Sequence, residues 1–312
     1  MPRHQPKQRL TAAVARLDLA VQALVNRPRS YVRGLFDHGC VSLDGQPCRN
    51  AGAPGAIGQL LALDYDPQQN YRETPKARLS TRFAIAHEDA HLIVVEKVAG
   101  ILTVPTDRGE TTTLVHEVAR YLSKGPRLLH RAYIVHRLDR DTSGLLVFGK
   151  TQAVADALRD QFADRKPERQ YIAIAAGQLQ PAAGTFRSHL ATNDDLDQYS
   201  TDDETAGKLA VTHWQIEARL RGATRVSVQL ETGRRNQIRV HLAEAGHPIL
   251  GDVRYRTDLS RHPAWRWPRL ALHARTLGFT HPVTGQQVRC QADLPACFGQ
   301  FAAACGSGGS RR

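Results

Sequence analysis

The stretch "YIVHRLDRDTSGLLVFGK", Tyr133 to Lys150, crowds His136, Arg137, Asp139, Arg140 and Asp141 into six residues. It then runs at once into an apolar strand, Leu145 to Phe148. Surface charge rarely sits so tightly against a strand destined for burial. A carboxylate at that depth needs a nearby cation to stay ionised. An ionised carboxylate can in turn act as a nucleophile or a general base. A second stretch, His87-Glu88-Asp89-Ala90-His91, matches the H-E-x-x-H pattern of zinc proteases. That chemistry needs both histidines on one helix face. Here the flanks "FAIA" and "LIVVE" are β-rich and Glu88-Asp89 is good turn material. The two rings then stand on a hairpin, where they do not converge, and the match is accidental.

The elements that must position the first stretch begin at Leu79. "RFAIAHEDAHLIVVEK" reads as strand, turn, strand, and "TLVHEVARYL" and "QAVADALRDQFADR" as amphipathic helices. "RQYIAIAAGQL", "THWQIEARL", "TRVSVQLETG" and "ARTLGFTH" read as strands, and "NQIRVHLAEAG" as a helix closed by Gly246. The irregular order predicts an α+β fold with a large mixed or antiparallel sheet, not a doubly wound one. Upstream, residues 11–25 carry apolar residues at helical spacing, and "RSYVRGLFDHG" is a second helical run with Gly39 as its C-cap. "CVSLDGQPC" alternates like a strand and turns at Asp44-Gly45. The expected division is a small basic module over 1–64, a polar linker over 65–78, a catalytic domain over 79–300 and a disordered tail over 301–312.

The net charge of +12 and pI near 9.9 point to a polyanionic partner. Of the 42 basic residues 35 are arginine, whose planar fork suits phosphates and base edges. The first 60 residues hold eight Lys/Arg against three Asp. Five scattered cysteines without a CxxC pair argue for reduced thiols rather than a zinc site. No apolar run approaches the roughly 20 residues that span a bilayer, and the basic N-terminus leads into no signal core. A cytoplasmic protein is expected.

"HRLDRDTSGLLVFGK" resembles the central motif of the RluA-type pseudouridine synthases nearly position for position. "HEDAHLIVVEKVAGILTVP", "RQYIAIAAG", "LETGRRNQIRVHLAEAGHPILGDVRY" and "RLALHARTLGFTHPVTGQ" resemble the other family segments in order, covering 79–290. The basic module resembles the alpha-L RNA-binding fold of a small-subunit ribosomal protein. Two positions depart from the family pattern: Val98 stands where proline is usual, and Asn236 where histidine is usual. The resemblance implies an RNA pseudouridine synthase in which Asp139 acts at the ribose of the target nucleotide. Asp141 is its rival, or else hydrogen-bonds the loop through Thr142 and Ser143. The resemblance further implies that Arg239 keeps Asp139 charged, with Arg234 as the fallback. Arg137 would hold the flipped nucleotide, and Tyr171 would pack on the uracil. His136 is left structural. In the module, Arg27, Arg29 and Arg33 would meet RNA.

Turning uridine into pseudouridine involves no redox change and no group transfer, so no cofactor and no metal is expected. The partner is RNA, with ribosomal RNA of the large subunit favoured over transfer RNA, and the protein is expected to be a monomer. A non-catalytic RNA-binding or ribosome-assembly protein on the same scaffold is the competing reading, which an intact Asp139, Tyr171 and Arg239 set disfavours. A carboxylate glycosidase would need a second catalytic carboxylate roughly 5 to 9 Å away. It would also want an aromatic sugar groove, against which the pI and the 6% aromatic content argue.

Overall fold

A computed structural model describes residues 4–48, 50–67, 71, 82–123, 130–164 and 166–306. They fall into two compact units, Met1–Leu79 and Ser80–Arg312.

The first unit runs β1 (Lys7–Arg9), α1 (Leu17–Val25), α2 (Arg29–Asp37), β2 (Val41–Leu43), β3 (Gln46–Pro47) and β4 (Leu60–Leu63). The strands form a small sheet in the order β1-β4-β2-β3. Leu17 and Val21 of α1, Val32, Leu35 and Phe36 of α2, and Leu61 of β4 close its core. The β2–β3 hairpin turns at Asp44-Gly45 with both residues at positive φ, as the Asp-Gly pair predicts. The first helix begins later than its periodicity suggests. Val14 pairs with Gly55 through two backbone hydrogen bonds of 2.9 Å, which holds the preceding residues extended. The expected linker also proves to be partly core. Tyr65 and Tyr71 are buried, and Tyr71 packs edge-on against Tyr31 at 5.5 Å. Two large rings in a polar stretch lose too much water-exposed surface on packing to stay outside. Residues 68–70 and 72–78 of the expected linker lie outside the described residues.

The second unit runs β5 (Phe83–Glu88), β6 (Leu92–Lys97), α3 (Leu114–Leu122), β7 (Tyr133–Ile134), β8 (Ser143–Gly149), α4 (Gln152–Ala163), β9 (Glu168–Ala176), β10 (Ala183–Thr192), β11 (Gln198–Thr201), β12 (Lys208–Leu220), β13 (Ala223–Leu230), α5 (Gln237–Glu244), β14 (Leu272–Thr280), β15 (Gln287–Gln291) and α6 (Ala296–Cys305). Its 11-stranded sheet has the order β11-β10-β12-β13-β9-β14-β8-β6-β5, with β15 added to β14 and β7 to β8. The fold is α+β around one mixed sheet. No helix among the described residues is long and apolar enough to cross a membrane.

The central strands are buried on both faces, which is why they read as continuous apolar runs. Ile93, Val95, Leu146 and Phe148 face a core closed by Leu114 and Val118 of α3. Their alternates Leu92, Val94, Leu145 and Val147 face Val154, Ala155 and Leu158 of α4. The expected disordered tail from 301 needs correction. Residues 301–305 finish α6, with Phe301 and Cys305 buried beside Phe298. Their spacing buries one helix face. The remainder of the tail beyond Gly306 lies outside the described residues.

The sheet has one parallel contact, β8 against β14, at Ser143–His273 and Gly144–Ala274. It lies directly after the Asp139 stretch and depends on Gly144. That residue sits at φ +115°, and a Cβ there would stand 2.2 Å from the Ala274 carbonyl oxygen. We expect Gly144→Ala to destabilise the fold by about 2 kcal/mol or more. Thermal denaturation should show a Tm lower by about 5 °C or more. An unchanged Tm contradicts the strand contact.

Candidate active site

The loop from Val135 to Thr142 links β7 to β8 and is held at two points on either side of Asp139. On one side, the Thr103 hydroxyl donates to the Leu138 carbonyl at 2.7 Å and accepts from the Leu138 N–H at 3.2 Å. On the other, the Arg140 carbonyl accepts from the Gly100 N–H at 2.9 Å and from Lys97 Nζ at 2.8 Å. Leu138 is buried between these clamps, so its neighbour Asp139 turns to the pocket. Arg137 and Arg140 stay exposed.

Lys97 is the residue that the sequence did not advertise. A lysine ending an apolar strand usually marks the exit to solvent, yet Lys97 is fully buried. Its Nζ donates to three carbonyls, Val98 at 3.1 Å, Ile101 at 2.8 Å and Arg140 at 2.8 Å. Burial pushes its pKa down to about 7, against the pull of Asp141 and Asp139. The Lys-x-Ala-Gly pattern in the sequence was the available signal.

Arg239 approaches Asp139 from α5. Its Nε and NH2 form a forked pair with Asp252 at 2.7 and 2.8 Å. NH1 donates to Asn236 Oδ1 at 3.0 Å and faces Asp139 Oδ2 at 3.6 Å. That last distance is a charge contact, too long for a hydrogen bond. The Asp139 carboxylate accepts no hydrogen bond from a group among the described residues, so its lone pairs are available to a substrate. Burial works against the Arg239 charge, but Asp252, and then Asp139, outweigh it and raise the pKa. Asp252 is itself buried and also accepts from the backbone N–H groups of Arg254 and Tyr255. The Tyr255 ring lies under the guanidinium at 5.0 Å, and its hydroxyl accepts from Asn236 Nδ2 at 2.9 Å. Asn236 therefore works as a bridge between Arg239 and Tyr255. Sequence reading missed Asp252 and Tyr255, although "GDVRY" follows the Arg239 helix closely.

Tyr171 on β9 and Arg137 share the same small pocket, about 60 Å³, with Asp139 and Arg239. Its floor includes Leu230 and Leu272. Burial pushes the Tyr171 hydroxyl up to about 12, Arg169 pulls it down, and Asp139 adds to the rise. The phenol is therefore protonated at neutral pH. Arg234 is at the pocket rim, but its Nε donates to the Leu209 carbonyl at 2.9 Å. Of the two cations expected for Asp139, Arg239 is the one that faces it.

The remaining candidates sort by their contacts. His136 accepts from the Val147 N–H at 3.3 Å and stacks on Phe162 at 4.6 Å. Burial, aided by Arg169, lowers its pKa to about 3, so it is neutral and structural. Of the two alternatives for Asp141, a tie to the loop through Ser143 is not formed. The Ser143 hydroxyl bonds His273 Nδ1 at 2.8 Å and Arg269 NH2 at 2.7 Å instead, while the buried Thr142 hydroxyl has no hydrogen-bond partner. His87 sits in β5 and His91 beyond the hairpin turn, each beside Asp89 or His281 and not facing the other. In the first unit Arg27, Arg29 and Arg33 are exposed around the start of α2. Arg29 also shares with Arg16 the buried carboxylate of Asp18, and Arg27 lies over the Tyr31 ring at 5.6 Å.

The buried lysine gives a pH test. The folded state releases the Lys97 proton near pH 7, whereas the unfolded chain keeps it to the ordinary lysine value of 10.5. Between those values the unfolded state binds more protons, so stability rises with pH. Relative to Lys97→Met, the wild-type protein should gain stability from about pH 7 upward in urea titrations. Parallel pH profiles for the two proteins rule out a buried, titrating Lys97.

Residues 91–244 match the family model for RNA pseudouridylate synthase. The chain is 35% identical over 291 residues to the ribosomal large subunit pseudouridine synthase D of Zymomonas mobilis, covering 90% of each chain. It is 32% identical over 296 residues to the protein of that name from Pseudomonas aeruginosa, covering 91% of this chain and 89% of the other. Among solved structures, human RNA pseudouridylate synthase domain containing 4 shares the fold, with a TM-score of 0.58 at 24% identity. That match covers 70% of this chain and 92% of the human one. Relatives aligned nearly end to end, together with the shared fold, make this chain a member of the RNA pseudouridylate synthase family, an enzyme that isomerises uridine in RNA.

Proposed function

We propose that the enzyme acts on a uridine of large-subunit ribosomal RNA, with Asp139 as the group that works at the ribose. The observation that carries the site assignment is the Asp139 carboxylate at 3.6 Å from an Arg239 already fixed by Asp252. That geometry supplies a charged carboxylate with its oxygens unengaged, beside a pocket lined by Tyr171. The relatives named for the large ribosomal subunit support the choice of RNA. We further read the protein as a cytoplasmic monomer, the setting in which ribosomal RNA is assembled. The first unit, with Arg27, Arg29 and Arg33 exposed on one helix end, would serve as its alpha-L-type RNA anchor.

In the reaction the bond from ribose C1′ to uracil N1 breaks and a bond from C1′ to C5 forms. The C5 proton leaves and a proton ends on N1, so atoms and electrons balance within the nucleotide. Asp139 attacks C1′ or takes a neighbouring ribose proton. Arg137, exposed at the pocket mouth, fills the space left in the RNA stack and holds the flipped nucleotide. Tyr171 packs on the uracil; its protonated hydroxyl can pass a proton on but cannot act as a phenolate base.

Asp139 and Arg137 should fail differently. Release of tritium from uridine C5 under single-turnover conditions is the readout. Asp139→Asn keeps the shape but removes the nucleophile or base, so release should fall by more than about a thousandfold on every RNA, within the range reported for loss of a key catalytic group. Arg137→Ala should slow a hairpin target far more than a loose single strand, because flipping costs a few kcal/mol in the structured RNA. Release by Asp139→Asn within tenfold of wild type overturns its role. Equal losses for Arg137→Ala on both RNAs overturn the flipping role.

A further inference from the structure

A second groove opens beside the Asp139 loop, with a volume of about 710 Å³ against about 60 Å³ for the target pocket. The two cavities share no lining residue, but residues of one contact residues of the other. Asp252, which holds Arg239, lines the larger groove, and so does Asp141, two residues beyond Asp139. Its other walls come from the segment that follows Asp252 and include Arg261, Trp265, Trp267 and Arg269. The chain has three tryptophans, and two of them stand here.

These walls are built rather than incidental. Trp265 is buried against Phe298 and Phe301 at 5.9 and 5.6 Å, and its indole N–H donates to the Arg269 carbonyl at 3.0 Å. It supports Trp267 edge-on at 5.0 Å, and Trp267 is only half-buried. The arrangement braces Trp267 against the core while part of it lines the groove. Arg261 is exposed on the same groove, and Val253, 84% exposed, marks its rim. Arg269 is spoken for by Ser143 and by the Leu270 carbonyl at 3.2 Å. Asp141 adds a carboxylate that repels phosphate yet can accept from a base amine.

The geometry points to a nucleotide of the RNA strand next to the target, its base stacked on Trp267 and its phosphate near Arg261. This rests on the RNA-modifying reading above. Drawing the target out of the strand removes the stacking partner of its neighbour, and that neighbour needs another platform close by. A sequence-tolerant aromatic face beside a basic side chain is what single-stranded nucleic acid binds. A groove lined by Asp252, the partner of Arg239, in a chain of net charge +12, is placed to provide it.

The test is a binding cycle by fluorescence anisotropy with the full chain. The probes are a short single-stranded RNA holding one uridine and two copies with an abasic site on one side or the other of it. One abasic copy should bind wild-type protein about 5- to 150-fold more weakly, the factor that loss of one stacked base corresponds to. Trp267→Ala should lose the same factor on the intact RNA and nothing further on that abasic copy, while Trp267→Phe should recover most of it. If Trp267→Ala binds the intact RNA like wild type, or its loss multiplies with the abasic loss, the stacking site is wrong. Quenching of wild-type tryptophan fluorescence needs no variant: the intact RNA should quench more than the abasic copy, and equal quenching overturns the proposal. Tritium release is read separately. A protein that stacks the base but isomerises no uridine fails the proposed reaction alone, and the converse fails the groove alone.

Discussion

A guanidinium with only 13% of its side chain exposed is costly to bury unless carboxylates offset its charge, and Arg239 has two. Asp252 takes both forked N–H groups, which fixes the plane of the guanidinium and leaves NH1 turned toward Asn236 and Asp139. The order of contact matters. A direct fork onto Asp139 would engage both its oxygens, whereas a contact at 3.6 Å supplies charge without occupying them. Desolvating two buried ions is costly, and removing either partner strands the other. The position of α5, the turn from Asp252 to Tyr255 and the left-handed Asn236 at the helix start all follow from keeping that pair together.

The carboxylate is also fixed from behind. Thr103 and Lys97 hold the backbone on either side of Asp139. Both bind main-chain groups of the loop, so they restrict it without hydrogen-bonding the Asp139 side chain. Lys97 does this from the end of β6, the strand beside β8, and β8 in turn is pinned to β14 at Gly144. The sheet thus carries the loop, the tyrosine strand and the helix after β13 to one place. Geometry of this kind supplies much of what positioned catalytic groups contribute to rate.

Much of this was legible in the residues. The central strands announce themselves as apolar runs, Gly246 and the Asp44-Gly45 pair mark real turns, and the hairpin that rejects His87 and His91 is present. The motif around Asp139 and the basic segment of α5 pointed to Asp139 and Arg239, which the structure brings to 3.6 Å. The resemblance ranked Arg239 ahead of Arg234, and the structure gives the reason: Arg239 lies inside α5 and faces Asp139, while Arg234 precedes the helix and bonds the Leu209 carbonyl. Apart from the Lys-x-Ala-Gly pattern, nothing marked Lys97 as buried, because its three carbonyl partners come from a turn and from a loop 43 residues away. β10 and β11 went unread because one face of each stays wet and their polar residues give little contrast. The helix of the tail was readable after all: Phe298, Phe301 and Cys305 stand at helical spacing. The glycines and serines that follow, Gly306 to Ser310, carry no such periodicity.

The central claim is that Asp252 aims Arg239 at Asp139. Asp252→Asn keeps the shape and the acceptor for the Arg254 and Tyr255 N–H groups while removing the charge. The measurement is its single-turnover rate of C5 tritium release at saturating RNA, set beside its RNA affinity. The rate should fall about 30-fold or more, as the loss of about 2 kcal/mol at a buried charge pair implies, with affinity changed only a few-fold. An unchanged rate with weakened RNA binding would show that Arg239 serves RNA phosphate and not the carboxylate.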